Sequence, residues 1–122
     1  MKFIVQALAS LLLLGLMTLL QPHPANAAEV LQVRSATLLQ VGDHNRTYTV
    51  ELACLDLPAD HQSAAADWLR RELPRRTRVN LRPLGNHDGN LLAKVQRLDD
   101  SSDLSSGLIA AGLAAPLAQC GA

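Results

Sequence analysis

Apolar and polar residues change period several times along this chain, and the changes mark out its elements. Residues 3–20 are almost wholly apolar, centred on Leu11-Leu12-Leu13-Leu14. Val30-Leu31-Gln32-Val33-Arg34 alternates, and alternation places one set of side chains on each face of a strand. Residues 37–41 read as a second strand, and Gly42-Asp43-His44-Asn45 as a turn cluster. Residues 46–55, rich in Thr47, Tyr48, Thr49, Val50 and Leu52, read as a third strand that closes a hairpin. Asp56-Leu57-Pro58-Ala59-Asp60 breaks the alternation. Ala64, Ala65, Trp68, Leu69 and Leu73 then recur near helical spacing, with Asp60 as a cap and Pro74 as a stop. Trp68 lies on the apolar stripe, so it reads as core rather than as a stacking platform. Residues 77–84 and 91–98 alternate again, on either side of a loop that holds two glycines. Asp103 is placed to cap a second helix over 104–114, with Pro116 just beyond it.

The order is β-β-β-α-β-β-α. Five short strands with a helix between the third and fourth predict an α+β fold, a β-barrel with helices of the five-stranded OB type. The chain has 122 residues, enough for one small domain. Lys2 gives the apolar run a positive start, and Gln21-Pro22-His23-Pro24 interrupts any helix. Ala25-Asn26-Ala27 supplies small residues at the spacing a signal peptidase needs. Residues 1–27 therefore read as a signal peptide cut after Ala27, and residues 28–122 as the domain. The alternative is an uncleaved anchor, since such a run nearly spans a bilayer. No cysteine follows the leader directly, which argues against a lipoprotein. Cys54 and Cys120 are an even pair in an exported chain, periplasmic or secreted, and so predict one disulfide. Closing so long a loop stabilises by about 4 kcal/mol in the chain-entropy model. The alternative is two separate thiols, with Cys54 buried in a strand.

Charge narrows the function classes. The chain carries 11 Lys+Arg and 11 Asp+Glu, and without Lys2 the balance is −1, which does not indicate a strongly cationic nucleic-acid binder. The aromatics are Phe3, Tyr48 and Trp68, too few to stack single-stranded bases. Arg70, Arg71, Arg75, Arg76, Arg78 and Arg82 crowd one stretch. They read as an anion-binding patch for nucleic acid, lipid headgroups or an acidic partner. The competing reading is a solvated helix end, with Asp67 paired to Arg71 and both helix arginines complementing the helix dipole. His44, His61 and His87 show no ligand spacing. No base stands beside either cysteine to make a nucleophile. Asn45-Arg46-Thr47 matches the glycosylation triplet.

Three stretches carry a resemblance to the thermonuclease family, the staphylococcal-nuclease-like (SNase-like) domains. Leu52-Ala53-Cys54-Leu55-Asp56-Leu57-Pro58 resembles the family's Leu-x-x-Ile-Asp-x-Pro-Glu segment. Asp88-Gly89-Asn90-Leu91-Leu92-Ala93-Lys94-Val95 resembles its Tyr-Gly-Arg-x-Leu-Ala-x-Val segment. Leu104-Ser105-Ser106-Gly107-Leu108-Ile109-Ala110-Ala111-Gly112-Leu113-Ala114 is similar to its second helix, Val-Asn-x-x-Leu-Val-x-x-Gly-Leu-Ala. The matches stand in order and at matching spacing, from Val30 to Ala114.

The resemblance implies hydrolysis of phosphodiesters with Ca²⁺ held by two Asp carboxylates and a carbonyl. A Glu positions the attacking water and two Arg clamp the phosphate. Most of these groups are replaced here. The Asp before the Pro falls on Asp56 and is kept. The Glu after that Pro falls on Ala59. One Arg falls on Glu51 and the other on Asn90. The remaining metal Asp, from Asp-Gly-Asp-Thr, falls on Ala36 if Thr37 is that Thr, or on Asp43 if Val41-Gly42-Asp43 is the motif. Arg46 or Lys94 could restore a positive charge by reaching the site from elsewhere. Asp56 alone is a weak Ca²⁺ ligand, and it equally suits a turn that starts before Pro58. The expectation is an exported SNase-like barrel without phosphodiesterase activity, acting as a binding or structural module with no cofactor. One alternative is a divergent Ca²⁺-dependent nuclease acting on DNA or RNA. Another is an envelope barrel that binds oligosaccharide or peptide.

Overall fold

A computed structural model describes residues 27–118 and residue 120; the expected leader, apart from Ala27, lies outside these residues. Five strands close a barrel: β1 (Ala27–Val33), β2 (Leu38–Asp43), β3 (Arg46–Leu52), β5 (Arg78–His87) and β6 (Asn90–Arg97). Their order around the wall is β1-β2-β3-β6-β5, and β1 closes on β5 through Ala27↔Asn80 to Glu29↔Arg78. Only β3 and β6 run parallel, from Val50↔Leu91 to Leu52↔Ala93. Two two-residue strands, β4 (Leu55–Asp56) and β7 (Ala115–Pro116), pair with each other outside the barrel. Helices α1 (Gln62–Glu72) and α2 (Leu104–Ala110) complete the fold. A barrel with helices is thus what the alternating segments predicted. It forms because Val30, Leu39, Val41, Val50, Val79 and Val95 face inward and are fully buried. Leu69 of α1 and Leu104 and Leu108 of α2 are buried in the same cluster.

Several element ends differ from the sequence expectation. β1 starts at Ala27 rather than Val30, and β5 runs past residue 84 to His87, carried through Gly85 by a bulge, so the expected loop shrinks to Asp88-Gly89. Three further differences have a local reason. β3 stops at Leu52 because Cys54 turns into the left-handed region, at φ 71. Helix α1 takes no side-chain cap from Asp60; residues Ala59–His61 instead form a 3-10 turn, with His61 N–H donating to the Pro58 carbonyl at 3.0 Å. Asp103 does cap α2, accepting from the Ser106 N–H at 3.0 Å and the Ser106 hydroxyl at 2.7 Å. That helix ends at Ala110 rather than at residue 114. Gly112, at φ 75, reverses the chain, and Leu113 N–H reaches back to the Leu108 carbonyl at 3.0 Å. This is the Schellman ending that a left-handed glycine makes possible.

Trp68 packs against the core, as its place on the apolar stripe predicts. Its ring fills the space beside Gly107 so closely that a Cβ there would lie 2.5 Å from Trp68 Cη2. Arg97 holds the end of α1 to β6. It donates to Glu72 at 3.0 Å and to Asp99 at 2.6 Å, with its side chain only 19% exposed. The hydrogen bond to Asp99 raises its pKa further above the ordinary range. The Ser102 hydroxyl and N–H hold the neighbouring Asp100 carboxyl below its usual range. Cys54 and Cys120 form a disulfide across a separation of 66 residues. With the β4–β7 pairing and a hydrogen bond from Leu117 N–H to the Cys54 carbonyl at 3.2 Å, it straps residues 115–118 and Cys120 against the barrel. Among the described residues, no helix is long and apolar enough to cross a membrane.

Candidate binding cleft

Glu51 is the second-last residue of β3. Its neighbours Val50 and Leu52 are buried, so strand alternation turns Glu51 to the outer face of the wall. It stands between Leu38 of β2 and Leu92 of β6. His87 arrives from the end of β5. Asp88 and Gly89 follow it at φ 51 and 80, the pair of positive values that a two-residue hairpin turn requires. That turn sets His87 opposite Asn90. A bulge between Pro83 and Gly85 precedes it, where the register of β5 on β6 slips.

The Nδ1–H of His87 donates to Glu51 Oε2 at 2.7 Å, and His87 Nε2 lies 3.7 Å from Asp88 Oδ2. The Glu51 side chain is 22% exposed. The pair opens on a cleft of about 620 Å³, the size of a small-molecule or short-peptide site. Leu52, Leu55, Leu92 and Leu117 supply apolar walls, Thr37 a hydroxyl, and the Cys54–Cys120 bridge one side. No Arg or Lys is among the lining residues. Such a cleft can hold an apolar body and hydrogen-bond one polar group. Among the described residues the Nε2 of His87 has a carboxylate neighbour, Asp88, and no hydroxyl.

The structure brings some of the sequence candidates together and separates others. Thr37 and Glu51 share the cleft, and half-buried Asn90 opens β6 opposite His87. Ala36, 3% exposed, sits in the β1–β2 connection, where Ser35 Oγ accepts from the Leu38 N–H at 3.2 Å. Asp43 lies at the far end of β2, five positions from Leu38, or roughly 17 Å at ~3.3 Å per residue. It contacts His44 there, and burial followed by the Asp43 charge raises the pKa of nearby Tyr48. Asp56 is exposed on β4, and Ala59 is exposed at the start of the 3-10 turn. Among the described residues no three His, Cys, Asp or Glu side chains gather to hold a metal ion.

The six arginines do not share one groove. Arg70 and Arg75 border one, Arg78 lines a second with Arg46, and Arg82 lines a third with Lys94. Arg71 and Arg76 are exposed, and Arg76 adopts φ 72 while its N–H donates to the Val30 carbonyl at 2.7 Å. Asp67 pairs with Arg70 at 3.4 Å, one helical step short of the expected Arg71. His61 Nδ1 is buried without a hydrogen-bond partner among the described residues. The residue that sequence reasoning missed is His87. Its only signal was its place directly before Asp88-Gly89, which fixes the hairpin and sets His87 opposite Asn90 without revealing Glu51. No protein-family model matches this chain, and no curated protein matches it either.

Proposed function

We propose that this chain is an exported barrel of the SNase-like OB type in which phosphodiester hydrolysis has given way to binding. One observation carries this reading. At the position where the resembling family holds a phosphate-clamping Arg, Glu51 is paired to His87 inside an apolar cleft. A phosphate about 4 Å from that carboxylate would be opposed by roughly 4 kcal/mol at an effective dielectric of about 20. Ala59 and Asn90 replace the other two groups that transition-state stabilisation requires. The disulfide suits an oxidising compartment, in keeping with export.

The test incubates the purified protein with single-stranded DNA and RNA, in millimolar Ca²⁺ and in chelator. A gel-shift titration at low and moderate salt runs alongside. No cutting in either condition is expected. Calcium-dependent turnover near that of a competent nuclease would overturn the reading. A salt-sensitive shift without cutting would assign a nucleic-acid or other anionic partner to the arginine grooves.

A further inference from the structure

We propose that the cleft beside Glu51 binds an extended basic-apolar peptide segment, with Glu51 as the counter-charge for a Lys or Arg of that segment. The inference rests on reading the barrel as a binding module and names the partner of that same cleft. Charge selects the class. The ionisable groups lining the cleft are Glu51 and His87, with no Arg or Lys, so the Glu51 carboxylate opposes an anionic ligand and suits a cationic one. His87 occupies Oε2 of Glu51 by hydrogen bonding, which holds the carboxylate in one orientation toward the cleft. A charge-assisted hydrogen bond from an ammonium or guanidinium group is the strong kind available at such a site.

The walls select the rest. Leu117 is 48% exposed and lines the cleft beside Leu55 and Leu92. An apolar side chain laid between Leu117 and Leu92 would cover it. Backbone supplies the third argument. Among the described residues β4 and β7 form a sheet of only two strands, and because Pro116 has no N–H, the outer edge of β4 is the one that can accept a partner strand. Leu55 of β4 lines the cleft, as does Leu117 directly after β7. An extended peptide can hydrogen-bond such an edge while its alternate side chains enter the cleft. Lipid tails offer no hydrogen bond to that edge, and sugar hydroxyls do not repeat at the spacing of a strand.

The experiment uses the full purified chain and fluorescence anisotropy with a labelled acetyl-Leu-Lys-Leu-Lys-amide probe. The paired probes are acetyl-Leu-Glu-Leu-Glu-amide and acetyl-Ser-Lys-Ser-Lys-amide. Binding of the first and clear discrimination against both others is expected. Glu51→Gln keeps the shape of the side chain and should weaken binding by about tenfold. Leu117→Ser should weaken it too, while leaving the circular dichroism spectrum unchanged. No binding of the Leu-Lys probe, equal binding of the Leu-Glu probe, or an unchanged affinity in Glu51→Gln would each overturn the proposal. Capture by neutral phospholipid vesicles in place of the peptide would overturn it as well. Calcium-dependent nuclease turnover would instead strike the reading beneath it, so the two failures are distinguishable.

Discussion

His44 meets Asp43 at 2.7 Å, and His87 meets Glu51 at the same distance. The first pair joins chain neighbours on the β2–β3 turn, where the histidine side chain is 86% exposed. The second joins β3 to the end of β5 across 36 residues, at an apolar cleft beside a disulfide. Distance alone therefore says little about what a contact does. The first adds almost nothing to the fold, since neighbours in sequence meet in the unfolded chain as well. The second exists only when two hairpins are in register, and it shields its glutamate, 22% exposed, more than its histidine, 59% exposed. Breaking each side of this comparison should show the difference as a graded series.

The largest effect is expected at the cleft end, from the disulfide. Replacing Cys54 and Cys120 together with alanine should lower unfolding stability by about 4 kcal/mol in the chain-entropy model. Urea titration measures this, and the Leu117 amide should exchange much faster than the amides of β2 and β3. Equal unfolding midpoints for the two proteins would remove the bridge from the account of this end. Gly107→Ala comes next and tests whether cost follows packing rather than position. Its new methyl group would meet the Trp68 ring, so a loss of about 1–3 kcal/mol is expected. Trp68→Leu should return part of that loss by making room. If Gly107→Ala melts like the parent, the α1–α2 contact is looser than described.

How much of this was readable beforehand follows the range of the interactions. Strand alternation fixed the wall of the barrel because the period of two is local. Asp103 was readable as a cap for the same reason. Gly112 carried the signal for the end of α2, while Pro116 drew the boundary four residues too far. Cys54 paired with Cys120 by counting, since there were only two. The Glu51–His87 contact was not readable in this way. It depends on where the Asp88-Gly89 turn and the Pro83/Gly85 bulge set the register of β5 on β6. Nor was the division of the arginines, because Arg78 and Arg82 lie four residues apart on one strand yet line different grooves.

A double-mutant cycle on Glu51→Gln and His87→Gln should show a coupling of about 1 kcal/mol, the usual size of a partly shielded polar contact. A coupling near zero would mean that the cleft does not order the pair, and the peptide proposal would lose its fixed carboxylate. The matching cycle on Asp43→Asn and His44→Gln carries the smallest expected effect, within about 0.3 kcal/mol of zero. Exposed ion pairs gain little in high dielectric, and ordering the side chains offsets what they gain. His44 also holds a positive φ of 56, a strain that is present with or without its partner. His44→Gly should therefore stabilise slightly, by relieving that backbone, even as it deletes the contact with Asp43. A loss of stability in His44→Gly would show that the turn-end pair contributes to the fold after all, and the contrast between the two contacts would then rest on the cleft rather than on the range of the interaction.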